Sequence, residues 1–289
     1  MSAARVVAQA KVNLFLHVLA REASGYHQLE TLFQRLGLGD DVRLRAGVRG
    51  RTLDCRGADV GPVERNLAWR AALAYAAATG WPDGFAIEVE KRIPVGGGLG
   101  GGSADAGAVL RLLNALAPAP LPADRLLDLA LPLGADVPFL ATEDARALAW
   151  GRGERLLPLP PLPRRRVALL LPPVGVPTAD AFAWLAADRV GAAPTPRRLP
   201  LDRLGDWAGV ATLAANDFEG PVAARVPEVA ALAERRRAIG GGTYLMSGSG
   251  SSWFLIPDDD GGTADADGAA WRTVWTETAE RVAPVERLD

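Results

Sequence analysis

Six of the seven residues at 96–102 are glycine, Leu99 being the exception. An alternating segment at 85–93, with Phe85, Ile87 and Val89 on one face, leads into the run. A segment with a single apolar stripe (Ala106, Val109, Leu110, Leu113 and Leu116) leads out of it. Strand, glycine loop and helix in that order suit a phosphate group. Glycine lets backbone N–H groups approach oxygen with no Cβ in the way. The helix start adds unsatisfied N–H groups and the positive end of the dipole. Ser103 is the expected N-cap. No Gly-Lys-[Ser/Thr] follows, so this is not a Walker loop, and it comes too late in the chain for a dinucleotide fingerprint. A close-packed turn would use the same residue types but needs fewer glycines. Asp105 suits the helix dipole, yet it would repel phosphate if it faced the ligand.

The cations carry a second signal. Of 32 Lys and Arg residues only Lys11 and Lys91 are lysine. A chain that uses Arg wherever either cation serves keeps Lys where a compact ammonium is needed and a planar guanidinium does not fit. Asn is also rare, at 13, 66, 114 and 216. On a strand Asn13 points the same way as Lys11.

The elements around these residues read as α+β. Residues 5–20 form one long strand or a strand pair, and 29–38 form another, with Gly39-Asp40-Asp41 read as a turn. Residues 66–78 read as an alanine-rich helix stopped at Gly80, and 126–133 as a short helix. Asp136 and Pro138 begin another, which makes Asp136 an N-cap candidate. A proline-rich connector at 157–163 places a domain boundary between 1–156 and 164–289. Beyond it come a buried strand at 167–171, helices at 179–187 and 226–239, a turn at 243–250 and a strand at 253–256. An acidic surface loop at 257–268 and a last helix through Trp271, Val274 and Ala279 complete the expectation.

Composition bounds the rest. At 49% hydrophobic residues the chain can bury a sizeable core. A net charge of −2 and a pI near 5.8 speak against nucleic acid as a partner. The single cysteine, Cys55, excludes an intrachain disulfide and suits a reducing compartment. No apolar stretch approaches the roughly 18 residues of a membrane span. The expectation is a cytoplasmic protein with no membrane partner.

Five segments, in order from about residue 8 to 256, resemble the motifs of one family. Pro94-x-Gly-Gly-Gly-Leu-Gly-Gly-Gly-Ser103 resembles the central ATP-binding motif of the GHMP kinases. Ala10-Lys11-Val12-Asn13 through His17, then Gly25-Tyr26-His27 and Thr31-Leu32-Phe33, resemble the opening motif of their diphosphocytidyl-methylerythritol branch. Gly134-Ala135-Asp136-Val137-Pro138-Phe139 is similar to its catalytic-aspartate motif. Asn216-Asp217-Phe218-Glu219 and Met246-Ser247-Gly248-Ser249-Gly250 are similar to its C-terminal motifs. Ala104, where a second serine is common, and Ser251-Ser252-Trp253 depart from the pattern.

The resemblance implies a two-domain fold with the active site in the interdomain cleft. It implies ATP-dependent phosphorylation of the 2-hydroxyl of 4-diphosphocytidyl-2-C-methyl-D-erythritol, in non-mevalonate isoprenoid biosynthesis. Asp136 would be the base, and Lys11 the cation that keeps it ionised and meets the developing charge. Asn13 would bind the erythritol hydroxyls. Tyr26 and His27 would read the cytosine, with Phe182, just after Thr178, clamping its other face. Pro94, Gly96, Gly97, Gly98, Leu99, Gly100, Gly101, Gly102 and Ser103 would hold ATP, with Asn66 and Lys91 near the adenine. Mg²⁺ would ride on phosphates, water and Ser103. The competing readings are another GHMP kinase, whose acceptor carries no base for Tyr26 and His27 to read, and a non-catalytic nucleotide-binding module. In the blander readings Asp136 only caps a helix, Lys11 is a solvated strand lysine and His17 is a core histidine.

Overall fold

The computed structural model describes residues 2–22, 25, 27–190, 198–236, 239, 241–258 and 270–288. Tyr26, Arg237, residues 194–197 and most of the acidic stretch at 257–268 lie outside them.

β1 (Ser2–Arg21) and β2 (His27–Ala46) pair antiparallel along almost their whole length. They form the spine of a sheet of seven strands among the described residues. After β3 (Arg51–Arg56), α1 (Leu67–Thr79) is capped by the Asn66 side chain on Ala68 N–H and stopped by Gly80 at φ 71°. β4 (Phe85–Glu90) pairs with the second half of β2 and runs parallel to β3. The glycine run then opens α2 (Gly101–Leu116), which packs on β1, β2 and α1. α3 (Ala123–Ala130) and α4 (Val137–Ala141) follow. α4 lies so close to α2 that a Cβ on Gly107 would meet the Leu140 carbonyl at 2.4 Å. β5 (Arg146–Gly151) pairs with the first half of β2, and β6 (Arg155–Pro158) pairs with β5.

The second sheet is built from β7 (Arg166–Leu171), β8 (Thr243–Met246), β9 (Trp253–Ile256) and β10 (Arg272–Glu277), in the order β10-β7-β9-β8. Between β7 and β8 lie α5 (Thr178–Asp188), α6 (Trp207–Leu213), α7 (Glu219–Ala223) and α8 (Pro227–Arg235). Finally, β11 (Glu286–Leu288) returns to the first sheet and pairs with the start of β1. The expected connector at 157–163 thus begins inside β6 and runs on toward β7, while the C-terminal end belongs to the first sheet. The larger hydrophobic core joins the first sheet to α1–α4, and a second one joins α5, α7 and α8 to the second sheet.

Four local expectations differ from the structure, the first at 243–250, where the turn begins only after strand β8 has taken up Thr243–Met246 in pairing with β9. Gly39-Asp40-Asp41 is not a turn but the middle of β2. Gly39 is needed there because a Cβ would lie 2.6 Å from Val7 and 2.8 Å from the Ala8 carbonyl. The segment through Trp271 and Val274 is strand β10, not a helix. Its run Thr273-Val274-Trp275-Thr276 is β-branched and aromatic, and the open edge of β7 supplies its hydrogen bonds. Ala279 lies past it, where its N–H donates to the Arg35 carbonyl at 2.9 Å. Ser103 is the third residue of α2 rather than its cap; Gly100, at φ 73°, holds that position.

Candidate active site

The β1–β2 ladder aims a chain of polar side chains into the cleft between the sheets. Lys11 Nζ donates to Asn13 Oδ1 at 2.8 Å, and Asn13 Nδ2 donates to Thr31 Oγ1 at 2.8 Å. The Thr31 hydroxyl donates to the Phe15 carbonyl at 2.6 Å. This relay fixes the Asn13 amide and points one of its acceptor lone pairs at the ammonium. Lys11 Nζ also lies 3.1 Å from Asp136 Oδ2. The lysine side chain is 3% exposed and the aspartate 29%, so the pair has a dry side and an open side. Asp136 holds the N-cap position of α4, yet its side chain makes no capping bond. Its carboxylate is committed to Lys11 and the cleft instead.

The glycine loop is laid over Lys11. Lys11 N–H donates to the Leu99 carbonyl at 3.0 Å, and a Cβ on Gly100 would lie 3.0 Å from Lys11 Cε. Gly96, Gly98 and Gly100 take φ of 75°, 77° and 73°. From the other side the 247–252 segment presses on the loop. The Ser247 hydroxyl donates to the Gly98 carbonyl at 3.0 Å, and Ser252 N–H to the Gly97 carbonyl at 3.2 Å. Asn216 holds that segment by donating to the carbonyls of Met246 and Gly248, both at 2.8 Å. The N–H groups of the first turn of α2 have no helical acceptors, and residues 101–103 line the cavity. Its volume is about 520 Å³.

Lys91 lines the same cavity, with its ammonium held between two carboxylates. Its Nζ donates to Asp40 Oδ2 at 2.5 Å and to Asp105 Oδ2 at 2.6 Å. Asp40 Oδ1 accepts the N–H groups of Arg92 and Ile93, so this carboxylate on β2 holds the stem that enters the glycine run, and Lys91 links that stem to Asp105 on α2. Burial works against the Lys91 charge, but the carboxylates of Asp105 and Asp40 outweigh it and raise the lysine pKa. Two carboxylates share one ammonium. Burial, with Asp40 as a like charge, pushes Asp105 up to about 7 despite Lys91. Asp105 Oδ1 has no hydrogen-bond partner. The carboxylate that raised concern for phosphate is therefore spent on Lys91.

Asn66, Pro94, Leu99, Thr178 and Phe182 also line the cavity. Asn66 Oδ1 caps α1, which leaves its Nδ2 only a weak 3.7 Å contact with Cys55 Sγ. Thr178 Oγ1 is 3.1 Å from Ser249 Oγ. The His27 and Phe182 rings are stacked on each other at 4.3 Å and 19°, and Phe182 meets Phe218 edge-on. A base between two rings needs roughly 7 Å between their planes. One face of Phe182 is thus covered by His27, which differs from the expected open clamp. Sequence reasoning missed Thr31 and Asp40. Asp40 was hidden in what read as a turn.

Residues 66–143 match the GHMP kinases N terminal domain. A 4-diphosphocytidyl-2-C-methyl-D-erythritol kinase from Deinococcus radiodurans is 43% identical over 87% of this chain and 83% of its own. The chain belongs to that family of GHMP kinases. A kinase of the same name from Desulfotalea psychrophila is 40% identical over 86% of this chain and 84% of its own. A crystal structure of a 4-(cytidine 5'-diphospho)-2C-methyl-D-erythritol kinase superposes with a TM-score of 0.76 at 36% identity, covering 95% of this chain and 98% of that one. A homoserine kinase from Cytophaga hutchinsonii, at 18% identity and a TM-score of 0.68, shares the fold. The two-sheet α+β architecture is that of these ATP-dependent small-molecule kinases, and the cleft between the sheets is where the family's motif residues meet.

Proposed function

We propose that the chain transfers the γ-phosphoryl group of ATP to the 2-hydroxyl of 4-diphosphocytidyl-2-C-methyl-D-erythritol, releasing ADP and the 2-phosphate, in the non-mevalonate route to isoprenoid precursors. The observation that carries this is the Lys11–Asp136 pair under the glycine loop: a carboxylate free of capping duty, held by a buried ammonium at the phosphate loop. Asp136 accepts the hydroxyl proton as the oxygen attacks phosphorus and the bond to the β-phosphate oxygen breaks. Lys11 pairs with the Asp136 carboxylate and offsets charge on the transferring group. Asn13, fixed by Lys11 and Thr31, orients the erythritol hydroxyls. The N–H groups at 96–103 cradle the phosphates, and Asn66 lies at the adenine end.

Among the described residues no cluster of three His, Cys, Asp or Glu can hold a metal ion. The cavity does offer a hard oxygen in Ser103. Mg²⁺ carried by ATP neutralises phosphate charge when bound, and the Ser103 hydroxyl is the protein oxygen suited to it. Tyr26, His27 and Phe182 form the cytosine end, which requires the stacked His27 and Phe182 to part or to offer an outer face. We place the work in the cytoplasm; none of the described helices is long and apolar enough to cross a membrane.

The test is ADP release with Mg-ATP and a panel of acceptors: the cytidyl compound, homoserine, mevalonate and none. Turnover is expected with the cytidyl compound alone. Turnover only with another acceptor would leave the family and remove the substrate.

A further inference from the structure

Lys11 and Arg35 are direct partners across the β1–β2 ladder, and such partners share a face of the sheet. Both side chains run to α4, at opposite ends. Lys11 meets Asp136 at the N-cap. Arg35 reaches the C-terminal end, where its Nη2 donates to the carbonyls of Phe139 at 2.9 Å and Thr142 at 3.0 Å, and its Nε to that of Asp144 at 2.9 Å. A cation there also meets the negative end of the helix dipole. Between the two ends the aromatic rings are layered. Phe139 stacks on Phe33 at 4.8 Å and 12°, the Arg35 guanidinium carbon lies 4.9 Å from the Phe139 ring, and Lys11 Nζ lies 5.7 Å from the Phe33 ring. Arg35 is 2% exposed.

A helix of five residues has little stability of its own, so its place is set by what grips it. Three carbonyls served by one planar fork require guanidinium; an ammonium is a point charge without that geometry. We propose that Arg35 is a positioning residue for phosphoryl transfer: it fixes the far end of α4 so that Asp136 stands against Lys11 and the attacking hydroxyl. This rests on the reading of Asp136 as the base.

The test compares Arg35→Met and Arg35→Lys, alone and combined with Asp136→Asn. Rates are expressed per ATP-binding site counted by calorimetry, so that unfolded protein does not enter kcat. Arg35→Met is expected to lower kcat by roughly 10- to 100-fold, the cost of an ångström-scale misplacement. The KM values for ATP and acceptor should hold within about threefold. Arg35→Lys should recover part of the loss, and it is the variant to use if Arg35→Met does not fold. In the Asp136→Asn background the Arg35 change should add less than about twofold, because Arg35 acts through Asp136. Normal kcat in Arg35→Met, or factors that multiply in the double variant, would overturn the proposal while Asp136→Asn alone stayed impaired. Normal turnover of Asp136→Asn alone would instead overturn the base reading and the proposal with it.

Discussion

Two glycines of the phosphate loop separate backbone strain from steric exclusion. Gly96 and Gly98 take almost the same left-handed conformation, φ 75° and 77°. Alanine at either costs about 1–2 kcal/mol for that conformation alone. A Cβ at Gly96 meets nothing within 4 Å, whereas one at Gly98 would lie 2.1 Å from the Ser247 carbonyl oxygen and 3.0 Å from that of Gly250. Ser247 is fully buried and its N–H is bonded to the Ser252 carbonyl, so it has no room to retreat. The loop must move instead, by about 0.9 Å, to bring 2.1 Å up to the 3.0 Å that real contacts keep. Gly96→Ala should therefore lower kcat/KM for ATP by at most roughly 30-fold, the full expression of its strain. Gly98→Ala should fall about 100-fold further, as expected for an ångström-scale error in positioning. The assay is ADP release against ATP at saturating acceptor, with thermal melts to confirm folding. Equal losses within about threefold would refute the steric argument.

Two further outcomes follow from the site. Phe182→Ala removes the ring on which His27 stacks and should raise KM for the cytidyl acceptor roughly 5- to 150-fold, the worth of about 1–3 kcal/mol of base stacking, with KM for ATP unchanged; equal KM values in variant and parent would remove Phe182 from the base site. Asp105, raised to about 7 in the fold by burial against an ordinary 3.8, binds more protons folded than unfolded, so its contribution to stability is full below about 4 and is lost as pH rises through 7. Urea midpoints of Asp105→Asn should fall less between pH 4 and 7 than those of the parent chain, and parallel curves would contradict the assignment.

The sequence carried the site further than the fold. Both lysines of an arginine-rich chain proved to be buried ammonium groups, Lys11 between a carboxyl and an amide oxygen and Lys91 between two carboxyl oxygens, which is the compact-cation role their scarcity suggested. The glycine run announced its close approaches because each needs a missing Cβ, a property local to the residue. Other features depend on tertiary contacts. Asp40 sits among turn formers, and it is the distant Lys91 ammonium with the N–H groups of Arg92 and Ile93 that offsets its burial within a strand. The 272–277 segment is a strand because β7 has an open edge, which no local pattern reveals. Arg35 reads as one arginine among many until the β1–β2 register sets it opposite Lys11.

The central claim is that Asp136, set by Lys11 and released from capping, takes the proton of the acceptor hydroxyl. Its most direct test is steady-state kinetics of Asp136→Asn with ATP and the cytidyl acceptor. Asparagine keeps the shape, and Asn13 Oδ1 still receives the Lys11 ammonium. The account predicts a fall in kcat of about 10²- to 10⁴-fold, with both KM values within about threefold of the parent. A kcat equal to the parent's would contradict it.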